Sequence, residues 1–595
     1  MTTAEAKFTI RCVWPAFFDA LGLTRDFFDL HPHFTLKQTD VRAVAVGATT
    51  MALINLCVML GMGMIATAPL GSQAFPIGIA AAIVSAGVGG VMVSMLAPQR
   101  ATITAPSSSL AIIYAAAAAH LVGQAGEGGP PLSELWAMLS LMVVVTGMLL
   151  VVMGTLRLSD AVSYMPLPVN IGFVSGIGLL VIASQLPSLL GGRPGGTVAQ
   201  MLEAMHQFKP GAVAVGAVAA WLTFRAPSSR IASYGPLAAL VAGTSLHHAL
   251  VWTSGHEVMG PTLGGVEVVS SVQWTWQAIP YLRSGEWLGE ALVNVLPFAF
   301  LLAFQAAMNT SFTSAAMASP GGKRKSAYQL LQAQGVANIA CGCLGALPVS
   351  TNSPLSLMAV QHGPGSRLPA LSGVVVVAAA IAASALLGLL PLAAFAGVLI
   401  VSGARMIDAR IWHLLRNLYA VRRRVDTAMN LLVIGTVASL LLADRVVAGI
   451  LAGIALELAH LALRAVYLQR SGAFGPLQAQ DTGTRDASLR ERGVEILRVD
   501  GLLYFGNVPS FAKRLSQLPA DTRHLVLDFS ATTHVDITAV HTLHRELQGL
   551  AANGVQTRFS GVRPGEGPLG HLAAAGPLMA GRPCYANLEG AVEFI

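Results

Sequence analysis

Charge is what this sequence has least of. Only 11% of its 595 residues are Asp, Glu, Lys or Arg, against 54% hydrophobic, and the mean hydropathy is +0.64. A soluble domain carries roughly 25% charged residues, so a chain this depleted cannot clothe itself in charge and most of it must face lipid. Cysteine is also scarce. Cys12, Cys57, Cys341, Cys343 and Cys584 show neither CxxC nor Cys/His spacing, which excludes a disulfide framework and a zinc site. Cys341-Gly342-Cys343 reads instead as a small helix face for close packing. There is no nucleotide loop, catalytic triad or cofactor motif, so an enzyme, a cofactor and a bound metal are all unsupported. The first forty residues are polar and mixed, without the basic start and apolar core of a cleavable signal. The N-terminus is therefore expected in the cytoplasm.

What is present is a series of apolar runs, most of them long enough to cross a bilayer. Candidate spans lie near 42–66, 75–97, 106–123, 133–156, 170–190, 211–224, 234–252, 290–313, 331–347, 354–361, 369–390, 392–405, 428–443 and 446–466. The net charge of +7 could suggest nucleic acid. However, Lys and Arg gather in short loops, at Lys323-Arg324-Lys325 and from Arg405 to Arg424, as in cytoplasmic loops of membrane proteins. Nucleic acid is thus not an expected partner; the lipid bilayer is. With the N-terminus inside, both clusters and the C-terminal region fall on the cytoplasmic side of the cytoplasmic (inner) membrane.

Near Tyr467 the composition turns polar and Gly-rich, reading as a linker over 467–492. VEILRV (494–499) then alternates like a half-buried strand, followed by a turn at Asp500-Gly501 and LLYFGN. HLVLDFS (524–530) is a continuous apolar run, as in a strand covered on both faces, Ile537–Leu550 has helical spacing, and VQTRFSG (555–561) reads as another strand. This predicts a cytoplasmic N-terminal segment (1–39), a transmembrane domain (40–466), the linker, and a small α/β domain (493–595).

Two membrane-depth interruptions resemble each other. TITAPSSSLAIIY (from Thr102) and ALPVSTNSPLSLM (from Ala346) each run from a short extended stretch through small polar residues and a proline into a half-length apolar helix. Pro354 fits a first helical position with Ser353 as N-cap, and Pro106 plays the same part before Ser107, Ser108 and Ser109. Paired broken helices in matching positions of two halves point to a transport site. Irregular backbone at membrane depth must be enclosed by protein or water, and facing helix N-termini suit an anion or an electron-rich solute.

YMPLPVNIGFVSGIGLLVIASQL (164–186), QAQGVANIACGCLGALPVS (332–350), LLYFGNVPSFAKRL and HLVLDFSATTHVDITAVHTL together resemble the sulfate permease family of anion transporters, whose members mostly end in a STAS domain. The resemblance implies a mostly α-helical polytopic protein of fourteen spans, arranged as two inverted seven-span repeats that form a core and a gate, with a C-terminal α/β STAS domain. It implies a homodimer working by an elevator-type movement and carrying a small inorganic or organic anion such as sulfate, bicarbonate, chloride or a carboxylate. The substrate would lie between the half-helices, against Ser107, Ser108, Ser109, Ser353 and Ser356, with Asn55 on the first span and Gln305 and Asn309 on the eighth.

Two departures bear on this site. Many members carry an arginine one residue beyond Pro354, where this chain has Leu355. Many also carry a carboxylate on the eighth span near Gln305, and here Glu290 at the span's start is the sole candidate. Buried membrane charges are retained for function, so their absence argues against coupling through that carboxylate and against a multiply charged substrate. His120 is read as interfacial, Asn170, Ser175 and Gln185 as interhelical hydrogen-bonders, Gly172 and Gly176 as points of close approach, and Trp274, Trp276 and Trp287 as interfacial anchors. In STAS domains a serine often follows the aspartate at the HVDITAV turn; Ile537 stands there, leaving Thr538 as a candidate regulatory hydroxyl or a helix cap. The domain would take a cytoplasmic protein partner. Two alternatives remain: a nucleobase or other neutral-solute permease of the same fold, and a non-transporting scaffold acting through its STAS domain.

Overall fold

In the computed structural model the residues described run from Val41 to Glu593. The stretches 1–40, 158–166, 193–207, 226–234, 318–326, 357–367, 413–423, most of 443–477, 482–492 and 563–575 lie outside the description, as do shorter pieces that include Ser353 and Pro354.

The apolar runs form helices: α1 (Val41–Thr67), α2 (Phe75–Leu96), α3 (Ser108–Gln124), α4 (Leu132–Thr155), α5 (Leu167–Leu189), α6 (Pro210–Arg225), α7 (Gly235–Ser254), α8 (Ser270–Ala278), α9 (Gly285–Met317), α10 (Ala327–Cys343), α11 (Leu368–Ala382), α12 (Leu392–Met406) and α13 (Arg424–Leu442). These follow the candidate spans closely. The tenth and fourteenth candidates fall largely outside the described residues, so the described helices do not set the number of crossings. Within α2, α4, α5 and α9 lie segments long and apolar enough to cross a bilayer by themselves.

The chain divides into two compact units: residues 1–162, 177–317 and 325–406 form one, and 163–176, 318–324 and 407–595 the other. In the first unit α10 lies against α4 at backbone distance. A Cβ added to Gly147 would come within 2.6 Å of the Gly335 carbonyl oxygen, and one on Gly342 within 2.6 Å of Val144. These glycines are there because membrane helices pack through van der Waals fit, and larger side chains would hold them apart. The Cys341-Gly342-Cys343 run thus serves close packing, with Cys341 buried and Cys343 exposed.

The second unit holds the α/β domain. Its sheet runs β3 (Gln478–Asp481), β4 (Val494–Leu503), β5 (His524–Asp528), β7 (Gln556–Ser560), β8 (Cys584–Tyr585), with β6 (Thr532–Val535) pairing the far end of β4. All pairs are parallel except β3–β4. Central β5 has Leu525 and Leu527 in the main apolar core and Val526 in a smaller one with Val494 and Ala591. Those are two faces, as its uninterrupted apolar run requires.

Two details differ from the sequence reading. Asp500-Gly501 is not a turn: β4 continues through it, with Gly501 at φ 83° and a register irregularity that shifts pairing from β5 to β6. Only glycine takes that conformation at no steric cost. In addition, the segment read as a linker contains β3, which alternation too short to register in the sequence did not announce.

The same unit contains the first residues of α5. Gly172 meets Ile434 of α13, and Ile171 packs with Ile434, Leu431 and Ile411. The α/β domain supplies α15 (Ile537–Ala552), which follows α14 (Val508–Leu515). Thr538 does not cap its own helix; Asp536 does, accepting from the Ala539 N–H at 2.6 Å. Instead Thr538 Oγ accepts from the N–H of Leu167, 3.0 Å away, one of the unpaired donors at the start of α5. Nearby, Asp408 accepts from Arg410 and donates its own N–H to Ser175 Oγ at 3.2 Å. Ser175 therefore bonds the backbone after α12, not a neighbouring helix side chain. The Asn170 side chain lies outside the described residues, and Gln185 donates to Ser184, its neighbour in sequence, at 3.3 Å.

Candidate functional site

The two interruptions meet in the first unit. Strand β1 (Thr104–Ala105) pairs antiparallel with β2 (Ser350–Thr351), Thr104 opposite Thr351 and Ala105 opposite Ser350. Buried extended backbone must find partners, and here each broken segment satisfies the other. Asn352 N–H donates to Ile103 O at 2.9 Å, and Ser356 Oγ accepts from the Ile103 N–H at 2.9 Å. One half-helix, α3, follows β1 directly, and helical bonding begins with Ala111 N–H to Ser107 O. Ser107 thus holds the N-cap position, and Pro106 precedes the helix instead of occupying its first position.

At the second start the cap is Asn352. Its side-chain oxygen accepts from Leu355 N–H at 3.2 Å and its carbonyl from Ser356 N–H at 2.9 Å. This moves the cap one residue upstream of Ser353, which itself lies outside the described residues. Asparagine is as good an N-cap as serine.

Helix α9 runs beside this crossing. Gln305 and Asn309 are four residues apart and so share one face. Gln305 Nε2 donates to Asn309 Oδ1 at 3.0 Å and to Ser109 Oγ at 3.2 Å. Asn309 Nδ2 lies 3.0 Å from Ser350 Oγ, 3.4 Å from Ser107 Oγ and 3.5 Å from Ser109 Oγ. Ser107 also meets Ser109 at 3.2 Å and receives the Ser350 hydroxyl at 3.3 Å. Five side chains from both interruptions and one continuous helix thus form a single neutral network centred on Asn309.

The structure brings Ser107, Ser109, Gln305 and Asn309 together and leaves Ser108 half-buried in the first turn of α3. It separates Ser356 from that group: fully buried, Ser356 is occupied by the Ile103 backbone. Leu355 is buried and offers no charge. Asn55 is 3% exposed on α1, its Oδ1 without a hydrogen-bond partner among the described residues. Among the described residues no hydrogen bond joins it to the Asn309 network, although α1 packs against α3. Glu290 is exposed on the first turns of α9. His120 is exposed, with its ring 5.4 Å from that of Phe298, and Trp287 anchors the start of α9 by donating to Glu134 at 2.8 Å.

Sequence reasoning missed Ser350 and Asn352, and with them a supporting layer behind the site. There Thr310 donates to Gln334 at 2.7 Å, Thr351 donates to Thr310 at 3.2 Å, and Asn338 holds both the N–H and the carbonyl of Val349. The available signal was the i, i+4 amide pair Gln334/Asn338 in QAQGVAN, a second copy of the Gln305/Asn309 spacing. Among the described residues no group of three or more His, Cys, Asp or Glu could hold a metal.

Two extended segments that cross beside helix starts, lined by hydroxyls and amides and set among long apolar helices, fit a polytopic membrane transporter. The sulfate permease family matches residues 42–420 and the STAS domain residues 488–566. The chain belongs to the sulfate permease family, a family of anion transporters, and carries its C-terminal STAS domain. It is similar to a probable sulfate transporter of Mycobacterium tuberculosis, 26% identical over 489 residues, which is 79% of this chain and 82% of that one. It is also similar to the bicarbonate transporter BicA of Synechocystis, 24% identical over 76% of this chain and 78% of the relative. Among solved structures, the transmembrane domain of a cyanobacterial BicA superposes with TM-score 0.56 at 21% identity, covering 71% of this chain and 99% of that one. The murine Slc26a9 anion transporter in its inward-facing state gives 0.55 at 13%, covering 100% and 96%. At such identities the superpositions speak to the fold.

Proposed function

We propose that this chain carries a small, singly charged anion across the cytoplasmic membrane, by secondary or exchange transport, through the crossing of its two half-helices. The observation that carries this reading is the neutral network around Asn309 at two helix starts. Helix N-termini attract negative charge with roughly half an elementary charge each, while hydroxyls and amides supply donors without the desolvation cost of a buried cation. No Lys, Arg, Asp or Glu takes part in the described network, so nothing in it offsets a second negative charge. Sulfate and bicarbonate, named for the relatives, are both in the substrate class. The single charge favours the bicarbonate type.

In this reading the domain that bears the half-helices moves as a body against the rest of the membrane region, carrying Asn309 and its hydroxyls from one face to the other. The transport domain is residues 40–466 and the STAS domain 493–595, with both termini in the cytoplasm and the protein a homodimer. Ser107, Ser109, Gln305 and Asn309 contact the anion, while Asn55, Ser108 and Ser353 line the path. Leu355 keeps it uncharged, and Ser356 supports it from behind.

The test is uptake into proteoliposomes of labelled sulfate, hydrogencarbonate, chloride, dicarboxylates and uracil, with and without proton and sodium gradients. Anion uptake with little dependence on either gradient is expected. Uracil uptake alone would make the chain a neutral-solute permease, and no uptake at all would favour a scaffold role for the STAS domain.

A further inference from the structure

The donors and acceptors at the site do not balance. Gln305 Nε2 is engaged by Ser109 and Asn309, yet its Oε1 is buried and without a hydrogen-bond partner among the described residues. Gln305 as a whole is 3% exposed. Asn55, on the helix packed against α3, shows the same imbalance at Oδ1. Both atoms are amide oxygens, which can only accept. A bare oxyanion such as sulfate or nitrate is also acceptor-only, and it would leave both unpaired while placing its own negative oxygens near them. A buried polar atom left unsatisfied carries its full desolvation penalty, so a site built to bond a hydroxyl rejects the analogue that lacks one.

We infer that Gln305 is a specificity-determining residue whose Oε1 accepts a hydrogen bond from the substrate itself, so that the transported anion is a singly charged oxyanion bearing an O–H group, of the hydrogencarbonate type. The anionic oxygens of that ligand face the serine hydroxyls and the half-helix starts, and its O–H faces Gln305. This inference rests on the proposed function.

Nitrate is the discriminating probe. It is planar, singly charged and close in size to hydrogencarbonate, and it has no O–H to donate. Because nitrate is also the more weakly hydrated of the two, a site indifferent to donors would favour it. Full-length protein in sodium-free proteoliposomes at mildly alkaline pH takes up labelled hydrogencarbonate against unlabelled nitrate, sulfate or uracil. In the wild type, nitrate is expected to compete about tenfold more weakly than unlabelled hydrogencarbonate, a difference of about 1.4 kcal/mol. In Gln305→Met, which keeps the volume and removes the acceptor, that ratio falls to about twofold. The wild-type ratio needs no variant and stands if Gln305→Met does not fold. Equal competition by nitrate in the wild type, or an unchanged ratio in Gln305→Met, overturns the inference and leaves the anion-transport reading in place. Uracil uptake without anion uptake overturns both.

Discussion

Two helix starts meet at the crossing, and they use their polar groups in opposite ways. At the second, Asn352 turns inward on its own helix, accepting from Leu355 and Ser356. At the first, Ser107 turns outward, its hydroxyl shared with Ser109, Asn309 and Ser350. The same element, a helix start, thus spends its polar side chain on its own backbone in one case and on neighbouring side chains in the other. A repeat of sequence pattern does not imply a repeat of role.

The comparison breaks first at Asn309. Replacing it with Leu removes the amide at the centre of the network, and an uptake rate at least about a hundredfold below wild type is expected, from the loss of its hydrogen bonds with Gln305 and Ser350. A rate within a few-fold, measured on monodisperse protein, would separate the network from transport. Ser107→Trp fills the first start and should abolish uptake while leaving the fold intact. The matching change at the second start, Asn352→Ala, should act on stability instead, by about 1 kcal/mol as for other N-caps, with substrate preference unchanged. Thermal unfolding together with uptake ratios would show whether the two starts differ as described. If Asn352→Ala altered preference, both starts would be ligand surfaces.

A smaller effect is expected far from the site. Thr538→Val strips the acceptor from the Leu167 N–H, costing about 1 kcal/mol and raising amide exchange at the start of α5. Unchanged exchange there would remove the role of Thr538 as a cap. The smallest effect concerns pH. His524, His541 and His544 are all held below the ordinary value of 6.5, by partial burial first and then by arginines, among them Arg410 at His541. Partial burial would raise Asp408, but the side-chain and backbone hydrogen bonds from Arg410, and its charge, outweigh this and bring it below 3.8. A depressed histidine is protonated more readily in the unfolded chain. Its contribution is therefore complete above pH 6.5 and lost as pH falls through the folded-state value, and the Asp408 contribution has the same sign at lower pH. Amide protection of the STAS sheet should fall modestly between about pH 7 and pH 5.5, and protection that rises on acidification would reverse this assignment.

Much was legible in the residues. Charge depletion, apolar runs and two proline-serine interruptions announced a membrane protein with paired broken helices, because period, length and proline act locally. The Gln305/Asn309 face was legible for the same reason, since a four-residue spacing is fixed by the helix. Ser350 and Asn352 were not, because either of two neighbouring residues can cap a helix and only the antiparallel register of β1 with β2 selects between them. For Thr538 the sequence offers a regulatory hydroxyl or a cap on its own helix, because it shows only near neighbours; the hydrogen-bond partner of Thr538 lies 371 positions away. By itself, then, the sequence determined where the chain is apolar, where its helices must break and which residues could donate there, all properties of short segments with their own physical preference. Only the tertiary structure decided which donors meet and which acceptor is left without one among the described residues, because those depend on how segments far apart in the chain satisfy one another's buried polar groups.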